Sequence, residues 1–448
     1  MQATSESKEA IVARLKQKLN AGAKPAAGAG AAKGLDSIPK EYYDLSVYPQ
    51  QAIMQAHQAL LEKLDVENNY FTQNQGTSKN TIQLADREYI NFSGYNYLGL
   101  SGHPEVNQFV HETIEQYGTS ASASRIVAGN LKIHDELEQA YADAIGTEAC
   151  VIGVGGYIIN VSTIAYLVGK DDLVIHDELS HNSLIMGCAL SGAHRLSFPH
   201  NDMAALDKLL SQHRMKYKRT LIITEGVFSM DGDIADVPRL IELKEKYKAL
   251  LMVDEAHSIG TLGKRGLGVV DHFNLDPKKI DVIMGTMSKA FASCGGFIAG
   301  SEVLIQQLKY FAPGLIMYSA GLSPQNTAAA LASLRLMLKE PQRLEKIQAN
   351  AAHFLNLLKQ AGVNTGPSQD SPVVPVITGD DEKALRLVQA LREGGVNVHA
   401  MLYPSVPREQ VRLRFFISST HTFAELEHTA DIIIQHLAVE NLTQGERK

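Results

Sequence analysis

Cysteine is scarce in this chain. Cys150, Cys188 and Cys294 are the only three in 448 residues, too few and too scattered for a disulfide framework or a zinc site. A reducing, cytoplasmic compartment is the expectation that follows. No stretch approaches the roughly 20 apolar residues of a transmembrane helix. The N-terminus also lacks the apolar core of a signal peptide. Stable membrane insertion is therefore not expected. The net charge is -7 and no basic stripe stands out, which argues against nucleic acid as a partner. There is no internal repeat.

What is present reads as an ordinary enzyme composition, 45% hydrophobic and 20% charged. The length suits a large domain plus a smaller one. Residues 1–40 read as a disordered tail or linker. Within them Ser7 to Leu19 is a short charged helix, and Ala21 to Gly34 is almost only Ala, Gly, Lys and Pro. Such a linker fits a plain tail, or a connection from a preceding domain. Residues 41–95 form an N-terminal segment, 96–340 a large domain and 341–440 a small C-terminal domain.

The large domain alternates strand-length apolar runs with helical patterns. The runs are Leu173 to His176, Leu221 to Thr224, Leu250 to Val253, Val282 to Met284 and Phe297 to Ala299. This alternation predicts an α/β fold with a mostly parallel central sheet. Ligands on such sheets sit at the carboxyl ends of the strands. After Pro341 a long helix, Leu344 to Ala361, precedes strands at Pro372 to Ile377, Val396 to Met401 and Arg412 to Ser418. Helices are expected at Glu382 to Arg392 and Phe423 to Leu437.

Several residues at these strand ends carry chemistry. Lys289 follows the Val282 strand within Gly285-Thr-Met-Ser-Lys289. A lysine at a buried strand end is partly desolvated, which favours the neutral amine that forms a Schiff base. Thr286 and Ser288 flank it with hydroxyls that could reach a phosphate. Alone, the Ser-Lys pair would read as a surface loop. Asp254 ends another apolar run, and an acid there is costly without a charged partner. It would suit a protonated pyridine nitrogen and keep that ring an electron acceptor. His257, three residues on, could hydrogen-bond a phenolic oxygen of the same ring. Taken singly, Asp254 could be a helix cap and His257 a satisfied core histidine. In Gly153-Val-Gly-Gly-Tyr157, backbone N–H groups at a helix start could cradle an anion. The dinucleotide spacing Gly-x-Gly-x-x-Gly is absent there. His181 could stack on an aromatic ring, or be a loop histidine. Ser229 lies just past a strand and could be a turn serine. Arg412 and Arg414 share one face of a strand, so either could clamp a carboxylate.

Together these segments resemble the α-oxoamine synthases, a branch of the fold-type I pyridoxal-phosphate (PLP) enzymes. The resemblance runs from about Tyr89 to Leu437. It is carried by Tyr97 to Leu100, Thr224 to Asp233, Val253 to Gly260, Gly285 to Lys289 and Arg414 to His421. Ser93 to Leu98, Asp254 to Gly260 and Ser371 to Pro375 look most like serine palmitoyltransferase and its polyketide-associated relatives. The resemblance implies a PLP-dependent C-acyltransferase. Lys289 looks like the Schiff-base lysine and the acid/base at the substrate Cα. Asp254 looks like the pyridine-nitrogen partner, His257 and Ser229 the phenolic-oxygen contacts, and His181 the stacking residue. Gly156, Tyr157 and Thr286 look like the phosphate cradle, and Arg414 the carboxylate clamp. Ser319 would reach the phosphate of a partner subunit, which implies a homodimer with interface active sites. The sequence departs from relatives at Tyr95, where several have a substrate-contacting asparagine, and at Gly321, where many have serine.

The implied reaction is a decarboxylative condensation of an amino acid, serine-type favoured, with an acyl thioester to give an α-aminoketone. The donor would be acyl-CoA or an acyl carrier protein. Chemistry of the 8-amino-7-oxononanoate synthase or 2-amino-3-ketobutyrate CoA ligase type is the nearest alternative. A transamination on the same fold is the next.

Overall fold

The structure, a computed structural model, describes residues 35–85, 87–403 and 405–445, with side chains through 438. The charged helix expected at Ser7 to Leu19 and the linker at Ala21 to Gly34 lie outside the described residues. The chain divides into two compact units, residues 1–68 and 69–448. The described part of the first unit holds three single 3-10 turns and a helix, Pro49–Leu64. Asp65, with φ 54°, closes that helix.

The described residues of the second unit form thirteen strands in three sheets. In chain order they are β1 Thr81–Leu84, β2 Arg87–Asn91, β3 Ala149–Gly153, β4 Leu173–Asp177, β5 His194–Phe198, β6 Thr220–Glu225 and β7 Leu250–Asp254. Then come β8 Val282–Thr286, β9 Gly296–Gly300, β10 Val373–Ile377, β11 Val396–Asn397, β12 Ala400–Met401 and β13 Arg412–Phe416. The large sheet has the order β3-β9-β8-β7-β6-β4-β5. The β8-β7-β6-β4-β5 part is parallel, and β9 alone runs against its neighbours β8 and β3.

The apolar runs form strands because both faces are covered. Ile222, Leu251, Val253 and Ile283 point into one core with Leu137, Tyr141, Leu240 and Leu331. Their neighbours Leu221, Ile223, Met252 and Val282 point into the other core with Ile159, Ile164, Leu184 and Leu308. This period-two partition buries every residue of β4, β6 and β8, which is why those strands read as unbroken hydrophobic runs. β5 escaped the sequence reading because it is the sheet edge: three of its five residues, His194, Arg195 and Ser197, are exposed.

The two smaller sheets are β1-β2-β11 and β10-β13-β12. The single strand expected at Val396 to Met401 is two short ones in different sheets. Val396 and Asn397 pair with β2, while Ala400 and Met401 pair with β13. The chain switches sheets at Val398-His399, so no one strand can span the run. Helices Pro341–Gln360, Asp381–Glu393 and Phe423–Gly445 occupy the expected places. No helix among the described residues is long and apolar enough to cross a membrane.

Candidate active site

The five strands β3, β4, β6, β7 and β8 point the same way and deliver functional side chains at their carboxyl ends. β3 runs into Gly156, β4 into His181, β6 into Glu225 and Ser229, β7 into Asp254 and His257, and β8 into Thr286 and Lys289. Convergence at one edge of the sheet is a consequence of parallel topology.

Burial pulls the Lys289 amine down to about 8, against the charges of Asp254 and Glu225, which hold its proton. Its Nζ lies 5.8 Å from the ring centroid of Tyr95. Tyr95 in turn packs edge-on to Phe416 and His257, at 4.7 and 6.1 Å. The Tyr95 position thus borders the lysine, and the tyrosine forms an aromatic wall there.

Asp254 is 4% exposed and makes no ion pair among the described residues. Its oxygens accept hydrogen bonds from Asn160 Nδ2 at 2.7 Å and from the Ala256 amide at 3.0 Å. Asn160 also donates to Ser183 Oγ at 2.9 Å, and Ser183 Oγ lies 2.7 Å from His181 Nδ1. The Ser183 amide donates to the same nitrogen, which makes Nδ1 an acceptor and leaves the proton on Nε2. Burial, followed by opposing contributions from Asp254, Lys289 and Arg414, lowers the His181 proton affinity. His257 is held by Tyr97, whose hydroxyl is 2.7 Å from Nδ1; its Nε2 has no hydrogen-bond partner among the described residues. Burial and then the cation Lys289 keep His257 well below the ordinary histidine range. It is a neutral imidazole.

The helix Gly156–Leu167 begins two residues after β3, so its first N–H groups have no partner within the helix. Its first residue, Gly156, is closely packed. A Cβ on Gly156 would meet Thr286 Oγ1 at 3.0 Å and Met284 Cε at 3.1 Å. Thr286 Oγ1 donates to the Gly295 carbonyl at 3.1 Å and accepts from the Ser288 amide. Ser288 itself is exposed. Tyr157 is half exposed, donates to Asn182 at 2.8 Å and sits edge-on to His181.

The two arginines of β13 part company. Arg412 is 4% exposed and fully engaged: it pairs with Asp231 at 2.6 Å and donates to the Met230 and Gln410 carbonyls. Arg414 donates Nη1 to the Ser229 carbonyl at 2.8 Å and lies 4.4 Å over the Phe416 ring, but its Nε is buried without a partner. Of the pair, Arg414 is the one with a donor left for a ligand.

Ser319 does not join this set. It is half-buried between the exposed Tyr318 and Ala320, and its Oγ donates to the adjacent Ala320 carbonyl. Its segment packs beside the Ser120 to Arg125 loop through the bridge Ser124–Ala320 and the bond from Gly321 N to Ala123 O. A Cβ at Gly321 would lie 2.6 Å from the Gly129 carbonyl, so serine has no room at that position. Three residues of the site escaped the sequence reading: Glu225, Asn160 and Tyr97. Glu225 had a signal, since it ends an apolar run as Asp254 does. Asn160 and Tyr97 had none, because their role is to hold groups distant in sequence.

The set has unmet needs that a flat, charged cofactor would answer. A buried carboxylate lacks a cation, a neutral imidazole nitrogen lacks a partner, and a glycine-lined helix start leaves amides for an anion. These features fit PLP, with its ring nitrogen, phenolic oxygen and phosphate. The family described as aminotransferase class I and II matches residues 87–433. An 8-amino-7-oxononanoate synthase of Treponema denticola is 40% identical over 358 residues, 80% of this chain and 90% of that protein. The serine palmitoyltransferase of Sphingomonas wittichii has a TM-score of 0.84 at 27% identity, covering 89% of this chain and 99% of that one. A high-resolution structure of SPT with PLP has a TM-score of 0.82 at 30% identity, covering 86% and 96%. The chain belongs to the aminotransferase class I and II family, in its α-oxoamine synthase branch, and is a PLP-dependent C-acyltransferase.

Proposed function

We propose that this chain condenses an α-amino acid of the serine type with an acyl thioester, releasing the thiol and carbon dioxide and leaving an α-aminoketone. The observation that carries the reading is the arrangement around Lys289. A lysine amine of lowered proton affinity faces Asp254, and Arg414, whose charge also reaches that amine, keeps an unpartnered Nε.

When bound, the cofactor supplies an electron sink for charge developing at the amino-acid Cα. Asp254 would hold its ring nitrogen, with Asn160 fixing the carboxylate. His257 and Ser229 would meet the phenolic oxygen, and His181 would cover one ring face with its proton on Nε2. Gly156, Tyr157 and Thr286 would hold the phosphate. Lys289 would hold the cofactor, and its free Nζ would take the Cα proton and later return it. Arg414 binds the substrate carboxylate and fixes which Cα bond faces Lys289. Tyr95, packed on Phe416, borders that amine.

The reading includes a homodimer, in which Ser319 reaches the partner's phosphate site. The exposed apolar side chains nearby, Tyr318 at 81% and Val127 at 76%, support this. The region 96–340 would be the cofactor-binding domain and 341–440 the small domain. Three unpaired cysteines support a cytoplasmic setting.

The test titrates the purified holoenzyme with glycine, alanine, serine and larger amino acids while following the cofactor absorption band. Labelled carboxyl carbon is then chased with acyl-CoA and acyl carrier protein donors. Serine should perturb the band at the lowest concentration, and labelled carbon dioxide should appear only with a thioester. Formation of an oxo acid without carbon dioxide would place the chain among the aminotransferases instead.

A further inference from the structure

Glu225 ends β6 directly opposite Asp254 on β7. In-register neighbours on parallel strands project to the same face, so two buried carboxylates lie side by side. Glu225 is 3% exposed and makes no ion pair with lysine or arginine among the described residues. Instead its two oxygens span two loops. One accepts from the His181 amide at 2.6 Å, the other from the Ser229 amide at 3.4 Å. His181 opens the helix Asn182–Ser191, so this bond fixes where its imidazole starts. Ser229 passes the restraint on, because its carbonyl accepts from Arg414 Nη1 at 2.8 Å. One side chain therefore anchors the residue proposed for the ring face and the residue proposed for the substrate carboxylate.

We propose that Glu225 is a positioning residue of the condensation, which sets His181 and Arg414 through the main chain and whose carboxyl, when ionised, faces the charge of Lys289. The inference rests on the roles given above to Lys289, His181 and Arg414. The charged groups facing Glu225 are Asp254 and Lys289; those facing Lys289 are Asp254, Glu225 and Arg414, and His257 and His181 also feel its charge. Burial and then Asp254 push Glu225 up to about 8, the same range to which burial brings Lys289 down. Once ionised, Glu225 favours the protonated lysine, and a replacement that stays neutral releases that proton earlier.

The probe is E225Q. Its amide oxygen can still accept from the His181 amide, but its NH2 cannot accept from Ser229. The amino-acid KM should rise severalfold, up to about tenfold, the effect of one lost hydrogen bond, with a smaller change in kcat. In cofactor-free enzyme, labelling of Lys289 by trinitrobenzenesulfonate, read by mass spectrometry against pH, should show its midpoint lowered by about one unit. A purely structural role would not move that midpoint. E225A should lose the restraint on His181 as well and raise KM further than E225Q. A folded E225Q with wild-type KM and wild-type midpoint overturns the proposal. If E225Q does not fold, E225D replaces it: it keeps the charge but draws back from both amides, so KM rises and the midpoint holds. Wild-type KM in E225D is then the overturning result. K289A separates the two levels, since cofactor still fixed covalently to the K289A chain after borohydride reduction would sink the assignment of Lys289, whatever E225Q does.

Discussion

Replacing Arg414 and Arg412 by lysine, one at a time, tests how one strand divides labour between substrate and scaffold. The two residues are two apart on β13, carry the same charge and have different surroundings. Arg414 spends Nη1 on the Ser229 carbonyl at 2.8 Å and its face on Phe416, and keeps a buried, unpartnered Nε. Lysine retains the charge but not the planar fork that meets a carboxylate with two parallel bonds. A hydrogen bond to a charged group contributes about 1.5–3 kcal/mol, so losing one weakens amino-acid capture roughly 10- to 150-fold at 1.4 kcal/mol per decade. R414K should show this in the amino-acid dissociation constant, read from the cofactor spectrum, and in KM, with the unfolding midpoint nearly unchanged. R412K should do the opposite. Its guanidinium pairs with buried Asp231 at 2.6 Å and donates to two backbone carbonyls, so lysine there costs about 2 kcal/mol of stability. Urea unfolding measures that cost, and KM should stay within a few-fold of wild type. A large KM effect in R412K with none in R414K would refute the division.

Three further outcomes follow from the geometry. G156A puts a methyl group 3.0 Å from Thr286 Oγ1, and equilibrium dialysis should show PLP held at least tenfold more weakly, about 1.4 kcal/mol, with the fold intact. The Cα-deprotonation rate, followed by deuterium exchange from solvent, should rise with pH and level off above about 8, because only neutral Lys289 accepts the proton; a flat profile contradicts its role as base. His200 bridges Asp177 at 3.0 Å and Asp233 at 2.9 Å, and those bonds, outweighing burial, raise it from 6.5 to about 10. A raised folded value means stability is fully present below about 6.5 and lost as pH climbs through 10. H200A should remove that pH dependence and cost about 2–3 kcal/mol, both read by urea unfolding, because the two carboxylates lose their cation but keep bonds from Asn201.

Much of the site was legible because each residue ends a strand whose pattern announces it. Asp254 and Lys289 stand where apolar runs stop, and Gly153 to Tyr157 marks a turn by its glycines. The same rule would have found Glu225 after Leu221 to Thr224. Other features left no local mark. Asn160 sits mid-helix like any polar residue, and only folding brings its amide to Asp254 and Ser183. Tyr97 looks like loop punctuation until its hydroxyl meets His257, 160 residues away. Edge strand β5 and the sheet switch after Asn397 also depend on long-range pairing.

The sequence by itself determined the α/β alternation, the strand-end acid, histidine and lysine, and the family they belong to, because these follow from periodicity and from motifs contiguous in the chain. Tertiary structure alone decided which of two equivalent arginines keeps a free donor, which nitrogen of His181 carries the proton, and how far Lys289 is pulled from the ordinary lysine range. Those properties are differences in solvation and partnership, and the partners come from strands and helices that only the folded sheet brings within hydrogen-bond reach.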